Sequence, residues 1–315
     1  MPGAVPAAAL ALSALAVALA WPLPILLSRA RWPARSPALA LVLWQSIALA
    51  GGLSMIGALL GFGLLGFGAN PLDGIRSLTG NLDAAAVPAP FVHVFALAAA
   101  LLLAGHLLLN LAATFLRAEV QRRRHHHLVA LLSEPLADRP GTRVIDSAAP
   151  VAYCLPGALT SATVLSRGLL TLLDADQLRA VVAHERAHLL QRHHLVLLAF
   201  KSWRSALPWF PIATRAETAV GLLVEMLADD QARRQVDDRT LAMAIALVGS
   251  APGPTGSDDA PDATSFAWPD HPFDLLTPRL RRLVVATPRL AAHQSLGVLA
   301  AAAGLLALPT LLLLG

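Results

Sequence analysis

The sequence predicts a mainly α-helical membrane protein, with four transmembrane helices and an α+β domain that contains a small β-sheet. The mean hydropathy is +0.61 and only 14% of the 315 residues are charged, against roughly 25% in soluble globular proteins. The apolar residues are concentrated in long uncharged runs, as in transmembrane helices. Between the third and fourth runs the composition becomes polar and includes short apolar segments typical of strands.

Three apolar runs in the N-terminal part, at about 5–27, 38–67 and 91–116, are each long enough to cross a bilayer. No Lys or Arg precedes the first run, but three arginines follow it between positions 29 and 35. This charge order favours an uncleaved helix with its N-terminus outside, and argues against a signal peptide. The segment 69–90, with its Asn-Pro and Gly-Asn pairs, is expected to be a short outer loop.

Small and polar residues within these runs suggest how the helices associate. Gly57 and Gly61 have the spacing of a close-packing face, which could support a homodimer, although an ordinary Gly-rich helix end is the preferred interpretation. His106 and Asn110 share one face of the third run. Such residues can mark a functional pathway, but without a charged companion they favour hydrogen bonding between helices.

The arginine distribution predicts the orientation and the partners. Arg117 and three arginines at 122–124 follow the third run, and four more between 279 and 289 precede a fourth apolar run at 293–315. This pattern places 118–292 in the cytoplasm of a cell with a plasma (inner) membrane. The net charge is +4, and the arginine clusters lie beside the apolar runs. This placement favours binding to anionic lipid headgroups. We expect no nucleic-acid partner. The single cysteine, Cys154, excludes an internal disulfide.

The polar segment at 118–292 is expected to fold as the α+β domain. Short apolar segments between turns predict strands, and longer periodic segments predict helices. The stretch at 251–266, rich in Pro, Gly, Ser and Asp, is expected to be a mobile loop. The predicted strands are Thr142–Asp146, Val151–Leu155 and Ala162–Ser166, and the predicted helices are Asp174–Lys201 and Ala213–Arg234.

The first predicted helix of this domain contains the motif His-Glu-Arg-Ala-His. His184 and His188 are four residues apart, so both imidazoles lie on one helical face and can bind one metal ion. Glu185 lies one step round the helix, where its carboxylate can accept a proton from water. This arrangement is typical of zinc hydrolases. Asp174 followed by Gln177 predicts a capping box at the start of the helix.

A catalytic zinc ion needs a third protein ligand and an open position for water. Glu225, in an apolar part of the second helix, is the predicted third ligand, because an unpaired buried carboxylate is costly. Asp229, one turn further on, is expected to orient a ligand imidazole through its second nitrogen. His193 and His194 are alternative ligands, but on a continuous helix they are rotated by about 140° and 240° from His188 and point away from the metal.

Several short motifs occur in a specific order between residues 140 and 235. They are Ile145-Asp146-Ser147, Ser166-Arg167-Gly168-Leu169-Leu170, HERAH at 184–188, Trp209-Phe210 and EMLAD at 225–229. In this order the sequence resembles the BlaR/MecR-type membrane metallopeptidases, and it is similar, more distantly, to the Ste24/HtpX membrane proteases.

This resemblance implies a gluzincin site in a zincin-like α+β domain, with His184, His188 and Glu225 holding zinc and Glu185 activating water. It also implies four transmembrane helices and a cytoplasmic protease domain. In the β-lactam sensors, a penicillin-binding domain follows the last helix and the substrate is a cytosolic repressor. Because this chain ends at Gly315, we expect that sensor domain to be absent.

The sequence therefore predicts a zinc-dependent endopeptidase for a cytosolic or membrane-proximal protein, such as a regulator in signal transduction. A strand at 151–155 or 162–165 could bind the substrate as an added strand. Tyr153 and His271 are candidates for a second donor to the oxyanion. The alternatives are a non-catalytic zinc-containing receptor or scaffold, which would need four protein ligands, and a transporter, which would need paired interrupted helices.

Overall fold

The computed structural model describes residues 4–68, 71–80, 90–136, 141–155, 162–208, 211–251, 275–285 and 288–314. These residues are mostly helical and include a small mixed sheet of four strands. The chain divides into two compact units. Unit 1 comprises Met1–Ala112, Ser202–Ala216 and Leu290–Gly315, and unit 2 comprises Ala113–Lys201 and Glu217–Arg289. Residues 202–216 thus group with the apolar runs, and the predicted boundaries at 118 and 292 stay a prediction.

The helices of the described residues follow one another along the chain, with a short 3₁₀ turn at Trp32–Arg35 between the second and the third. They are α1 (Ala4–Ala20), α2 (Pro22–Arg29), α3 (Pro37–Leu64), α4 (Pro71–Gly80), α5 (Phe91–Leu132), α6 (Arg167–Leu172), α7 (Ala175–Leu190), α8 (His193–Ala206), α9 (Pro211–Ala232), α10 (Asp238–Ser250), α11 (Leu276–Val284) and α12 (Ala292–Leu314).

Four helical segments are long and apolar enough to cross a membrane: Ala7–Arg29, Pro37–Leu64, Phe91–Leu132 and Ala292–Leu313. They coincide with the four predicted runs. The third extends further than predicted, because α5 continues through the arginine and histidine cluster to Leu132.

The prediction of a loop at 69–90 is wrong over the first half of that segment, where α4 forms. Pro71 stands at the first helical position, where its missing N–H costs nothing, and Asp73 adds a negative charge to the first turn. Proline and glycine are common in turns, but they also occur at the two ends of a helix, as Pro71 and Gly80 do here. The remainder of the predicted loop, at 81–89, lies outside the described residues.

The glycine face of α3 packs inside unit 1. A Cβ atom at Gly57 would lie 3.3 Å from a methyl group of Leu12, and one at Gly61 would lie 3.8 Å from Ala9 and Leu313. Both glycines therefore allow α1 and α12 to approach α3 closely. A homodimer stays a prediction.

The predicted polar face of α5 makes hydrogen bonds to α8 within unit 1. His106 Nε2 lies 3.1 Å from the carbonyl oxygen of Ala206. The side-chain amide of Asn110 donates to the carbonyl oxygen of Ser202 at 2.7 Å and to Ser205 Oγ at 2.9 Å. The expectation of helix–helix hydrogen bonding at these two residues is confirmed.

Unit 2 contains the sheet, whose strands are β1 (Ser133–Pro135), β2 (Thr142–Ile145), β3 (Ala152–Leu155) and β4 (Ala162–Ser166). Their order is β1-β2-β4-β3, with a parallel pair β2/β4 and antiparallel outer pairs. All three predicted strands are confirmed. The sequence interpretation missed β1, because its three residues include a proline and are too few to show alternation.

The two faces of the sheet pack against different helices. Ala152 of β3 contacts a cluster that includes Leu165 of β4 and Leu178 of α7. Tyr153, the next residue, contacts the cluster of Val129 from α5 on the opposite face, because successive strand residues point to opposite sides. The helix with the HERAH motif therefore lies on the Ala152 side of the sheet.

The prediction of one helix at 174–201 is wrong, because the chain turns between α7 and α8. Arg192 has a φ of 51°, in the left-handed region. A right-handed helix cannot continue through such a residue, so α7 ends at Leu190 and α8 begins at His193. The second predicted helix corresponds to α9. Of the predicted loop at 251–266, only Ala251 lies within the described residues.

Candidate metal centre

The position of α7 is set by its cap and by its buried face. Asp174 Oδ1 accepts hydrogen bonds from the backbone N–H groups of Asp176 and Gln177 at 2.9 and 2.8 Å, and Gln177 Oε1 accepts from the N–H of Asp174 at 3.1 Å. The predicted capping box is thus confirmed. One face of the helix is packed into unit 2, which fixes its rotation about the axis. The buried residues on that face are Leu178, Ala180, Ala183, His184 and Ala187.

Side chains from α7 and α9 converge on one point. His184 Nε2 and His188 Nε2 lie 3.1 Å apart. Glu225 Oε2 is 3.3 Å from the first of these nitrogens, and Glu225 Oε1 is 3.3 Å from the second. One donor atom from each residue lies within 4.8 Å of the others, so the cluster could hold a metal ion. The structure brings the three predicted ligands together, although their assignment as ligands stays a prediction.

Behind the first imidazole lies the predicted carboxylate. Asp229 Oδ1 is 2.9 Å from His184 Nδ1, the nitrogen that faces away from the cluster. This is a close polar contact between a carboxylate oxygen and an imidazole nitrogen. Asp229 is 1% exposed. A carboxylate in this place favours the proton on Nδ1 and the lone pair on Nε2.

Arg279 of α11 joins the same cluster, which the sequence interpretation did not foresee. Its guanidinium donates to Asp229 Oδ2 at 2.9 Å and to Oδ1 at 2.8 Å, and a third nitrogen lies 2.8 Å from Glu225 Oε2. Only 14% of the Arg279 side chain is exposed. Such a bidentate pair is geometrically specific, so Arg279 holds both carboxylates of α9 in place.

The charges of the cluster suit a bound cation. Burial would raise the pKa of Glu225, but Arg279 and the two imidazoles hold it well below its usual range. Burial would lower the pKa of His184, but the Asp229 and Glu225 carboxylates outweigh it and raise that pKa to about 10. The two carboxylates thus favour a positive charge beside them, which a protonated His184 can carry. A divalent ion between the three donors would supply that charge in place of the proton.

Glu185 lies beside this cluster, and its pKa is raised above the usual value. Burial raises the pKa of Glu185 to about 7, and its charge interacts with His184, Glu225 and Arg279. Its side chain is half-buried. A carboxylate with a pKa near neutrality can both accept and donate a proton, which is the property that a general acid–base residue requires.

The turn between α7 and α8 brings a further histidine to the site. His193 Nδ1 is 3.1 Å from His188 Nδ1, and the two rings meet edge to face at an 84° interplanar angle. His193 therefore contacts the outer nitrogen of His188 and not the converging Nε2 atoms. That His193 is not a ligand stays a prediction, although the continuous helix on which it was based does not form. The sequence does not predict the contact between His193 and His188, because on a continuous helix the His193 side chain would point away from His188.

The other predicted site residues lie elsewhere or outside the described residues. The ring of Tyr153 packs against His125 with centroids 5.2 Å apart, on the face of the sheet opposite α7. Burial raises the pKa of Tyr153 to about 12, so its phenol stays protonated. The oxyanion role of Tyr153 stays a prediction, as does that of His271, which lies outside the described residues. Cys154 is half-buried, and burial raises its pKa.

Comparison with known proteins gives one finding. Residues 116–246 match the model of Peptidase family M48. No curated protein and no solved structure matches the chain significantly. The matched segment contains His184, Glu185, His188 and Glu225, whereas Arg279 lies beyond it. This part of the chain is thus similar to the M48 metallopeptidases, and the match supports a metallopeptidase function.

Proposed function

We propose that the chain is a membrane-embedded, zinc-dependent endopeptidase. The observation that carries this proposal is the convergence of His184, His188 and Glu225 donor atoms within 4.8 Å, beside Glu185. Two imidazoles and one carboxylate are the ligand set of many catalytic zinc sites. A closed structural site would need a fourth protein donor, and among the described residues the cluster contains three.

The roles of the chain's own residues follow from this geometry. His184, His188 and Glu225 would hold the ion, and Asp229 would orient His184. When bound, Zn²⁺ would act as a Lewis acid on the peptide carbonyl and would favour ionisation of a water molecule.

Glu185 moves the proton in the reaction. It accepts a proton from the attacking water, whose oxygen forms a bond to the peptide carbon. It then gives that proton to the leaving amine as the C–N bond breaks, so that the carboxylate is regenerated. The pKa of about 7 favours a carboxyl group that can do both at neutral pH.

Substrate binding is proposed at β3. Because β4 pairs on both sides, with β2 and β3, it has no free edge, whereas β3 lies at the end of the described sheet. An extended peptide could add to that edge through main-chain hydrogen bonds. His271 remains a candidate for a donor to the oxyanion, whereas the Tyr153 ring packs on the sheet face opposite α7.

The cellular setting is proposed from the four apolar helices and the arginine pattern. The segments would span the inner or plasma membrane, with the N-terminus outside and the domain with the HERAH motif in the cytoplasm. The substrate would then be a cytosolic or membrane-proximal protein, such as a regulator in signal transduction. The BlaR/MecR-type resemblance supports this class of substrate.

The experiment that tests the peptidase compares the wild type with Glu185→Gln. Both proteins are purified in detergent, their zinc content is measured by atomic emission, and cellular proteins are compared after expression of each. We expect one zinc ion per chain in both, and cleavage products only with the wild type. Equal product patterns would refute the assigned base. Zinc retained in a wild type that cleaves nothing would favour a receptor or scaffold.

The orientation is tested separately with a reporter cysteine. In a Cys154→Ser background, Gln235→Cys places a thiol on an exposed turn of unit 2. We expect a membrane-impermeant maleimide to leave this thiol unlabelled in cells with a permeabilised outer membrane, and to label it after lysis. Labelling before lysis would reverse the proposed topology.

A further inference from the structure

The turn between α7 and α8 has an unusual backbone conformation. Arg192 has a φ of 51°. This value lies in the left-handed region, which is uncommon for residues other than glycine, asparagine and aspartate. The N–H of Arg192 donates to the carbonyl oxygen of Leu189 at 3.2 Å. The carbonyl oxygen of Arg192 accepts a hydrogen bond from the N–H of Leu195 at 3.0 Å. Such outliers persist where the surroundings hold them, and they concentrate at functional sites. Here the turn interrupts the helix, and His193 lies against His188.

His193 is held at both ring nitrogens. Its Nδ1 lies 3.1 Å from His188 Nδ1, and its Nε2 lies 3.0 Å from Gln191 Oε1. The residue is 2% exposed, so a charge on it would lose almost all its hydration. A neutral ring, with one nitrogen as donor and the other as acceptor, satisfies both contacts.

The proton positions follow from these contacts. Gln191 Oε1 can only accept, so His193 Nε2 carries the proton and donates to it. Neutral His193 then has a lone pair on Nδ1, and the hydrogen bond between the two Nδ1 atoms requires a proton on His188 Nδ1. The lone pair of His188 is thereby left on Nε2, the nitrogen that lies 3.1 Å from His184 Nε2 and 3.3 Å from Glu225 Oε1.

The two imidazoles of the cluster are thus supported by different chemistry. His184 is backed by the carboxylate of Asp229 at 2.9 Å, whereas His188 is backed by a neutral imidazole. A second carboxylate behind His188 would add negative charge to a buried site that already holds Glu225 and Asp229. A neutral acceptor can select the same tautomer without that charge.

We propose that His193 is a positioning residue of the metal site, which selects the Nδ1–H tautomer of His188 and presents its Nε2 lone pair to a divalent ion, while Gln191 holds His193 in its accepting form. This inference rests on the proposed metal site. It assigns a role to the turn at Arg192, whose left-handed conformation is what allows His193 to reach His188.

The test compares two substitutions at one position in the full chain in detergent. His193→Leu removes the acceptor, whereas His193→Asn retains a side-chain oxygen near the place of Nδ1. His194→Leu is the matched control, because His194 is the adjacent histidine on α8 and is half-buried. Zinc affinity is measured by competition with a chromophoric chelator. We expect His193→Leu to lower it about 10- to 100-fold, His193→Asn to recover most of the loss, and His194→Leu to bind as the wild type does.

A second measurement reads the tautomer directly. ¹⁵N-histidine NMR of the zinc-loaded wild type is expected to show His188 with a protonated Nδ1 and a metal-shifted Nε2, as assigned by comparison with a His188→Gln sample. This spectrum can overturn the inference even if His193→Leu fails to fold. A spectrum with His188 bound through Nδ1 would overturn the inference.

The outcomes separate this inference from the peptidase proposal. Unchanged zinc affinity in His193→Leu overturns the inference alone, and so do equal losses in His193→Leu and His193→Asn, which would mean that the ring only fills space. A wild type that binds zinc but cleaves no protein overturns the peptidase proposal and leaves the inference intact. A wild type that binds no zinc overturns both.

Discussion

Arg279 and Asp229 form a buried, bidentate ion pair across 50 residues of sequence, with N–O distances of 2.8 and 2.9 Å. The same guanidinium reaches Glu225 at 2.8 Å. Two carboxylates on successive turns of α9 thus share one cation from α11. The Arg279 guanidinium thus stabilises the buried negative charges of Asp229 and Glu225.

Arg279→Met is expected to destabilise the protein strongly. The substitution leaves Asp229 buried without its cation, and breaking one partner of a buried pair costs about 3–5 kcal/mol. The free energy of unfolding in denaturant, measured in detergent without added zinc, checks this. Arg281→Met is the control, because Arg281 is exposed on the same helix. Equal stability of the two variants would show that the Arg279 ion pair contributes little.

Asp229→Asn is expected to weaken zinc binding about 10- to 100-fold, as loss of an outer partner of a ligand imidazole commonly does. The amide keeps the size of the side chain but removes the charge that faces His184 Nδ1 at 2.9 Å. Chelator competition on the purified protein measures the change.

The control for this variant is the neighbouring carboxylate. Asp230 pairs with Arg282 at 2.7 Å through both oxygens, so Asp230→Asn removes the same charge one residue away. We expect it to affect stability more than zinc affinity. Similar losses of affinity in both variants would indicate a general effect of charge and not the orientation of His184.

The parts of the site that sequence predicts are those governed by helical periodicity. The spacing of His184 and His188, the capping box at Asp174 and the pair Glu225/Asp229 all depend on residues within a turn or two of each other. Helix geometry is regular enough to place such residues on one face. The capping box and the shared face of His184 and His188 follow this local rule. The approach of Glu225 to the two histidines does not, because it depends on the packing of α9 against α7.

The parts that sequence did not reveal depend on a turn or on distant contacts. Arginine has no strong preference for the left-handed region, so nothing in the sequence signals that Arg192 ends α7. Without that turn, His193 could not be placed against His188. Arg279 lies in a cluster of arginines beside an apolar run, which is typical of a membrane flank. Its partner is known only once α11 is packed on α9.

Gly168→Ala is expected to destabilise unit 2 by about 3 kcal/mol, the upper part of the range for overpacking. A Cβ atom at this position would lie 1.9 Å from the carbonyl oxygen of Ala148 and 2.5 Å from its carbonyl carbon. Backbone atoms cannot rotate away, so the start of α6 would have to move. Gly168 N–H also donates to the carbonyl oxygen of Ser147 at 2.9 Å, and that hydrogen bond would be strained.

Thermal unfolding of the purified variant measures this effect. Gly105→Ala is the control, because a Cβ at Gly105 would meet nothing within 4 Å, and its stability is expected to stay within about 1 kcal/mol of the wild type. If Gly168→Ala unfolded at the wild-type temperature, the close approach of the two backbone segments would have to be looser than the distances indicate.

Asn110→Leu is expected to destabilise unit 1 by about 0.6 to 2 kcal/mol, the range for hydrogen bonds between helices in an apolar setting. Asn110 donates to the Ser202 carbonyl at 2.7 Å and to Ser205 Oγ at 2.9 Å, and leucine of similar size removes both bonds. Unfolding in detergent is the measurement. Leu109→Ala, at a side chain that is 73% exposed, should have a smaller effect. A stable Asn110→Leu would mean that apolar packing, and not these bonds, joins α5 to α8.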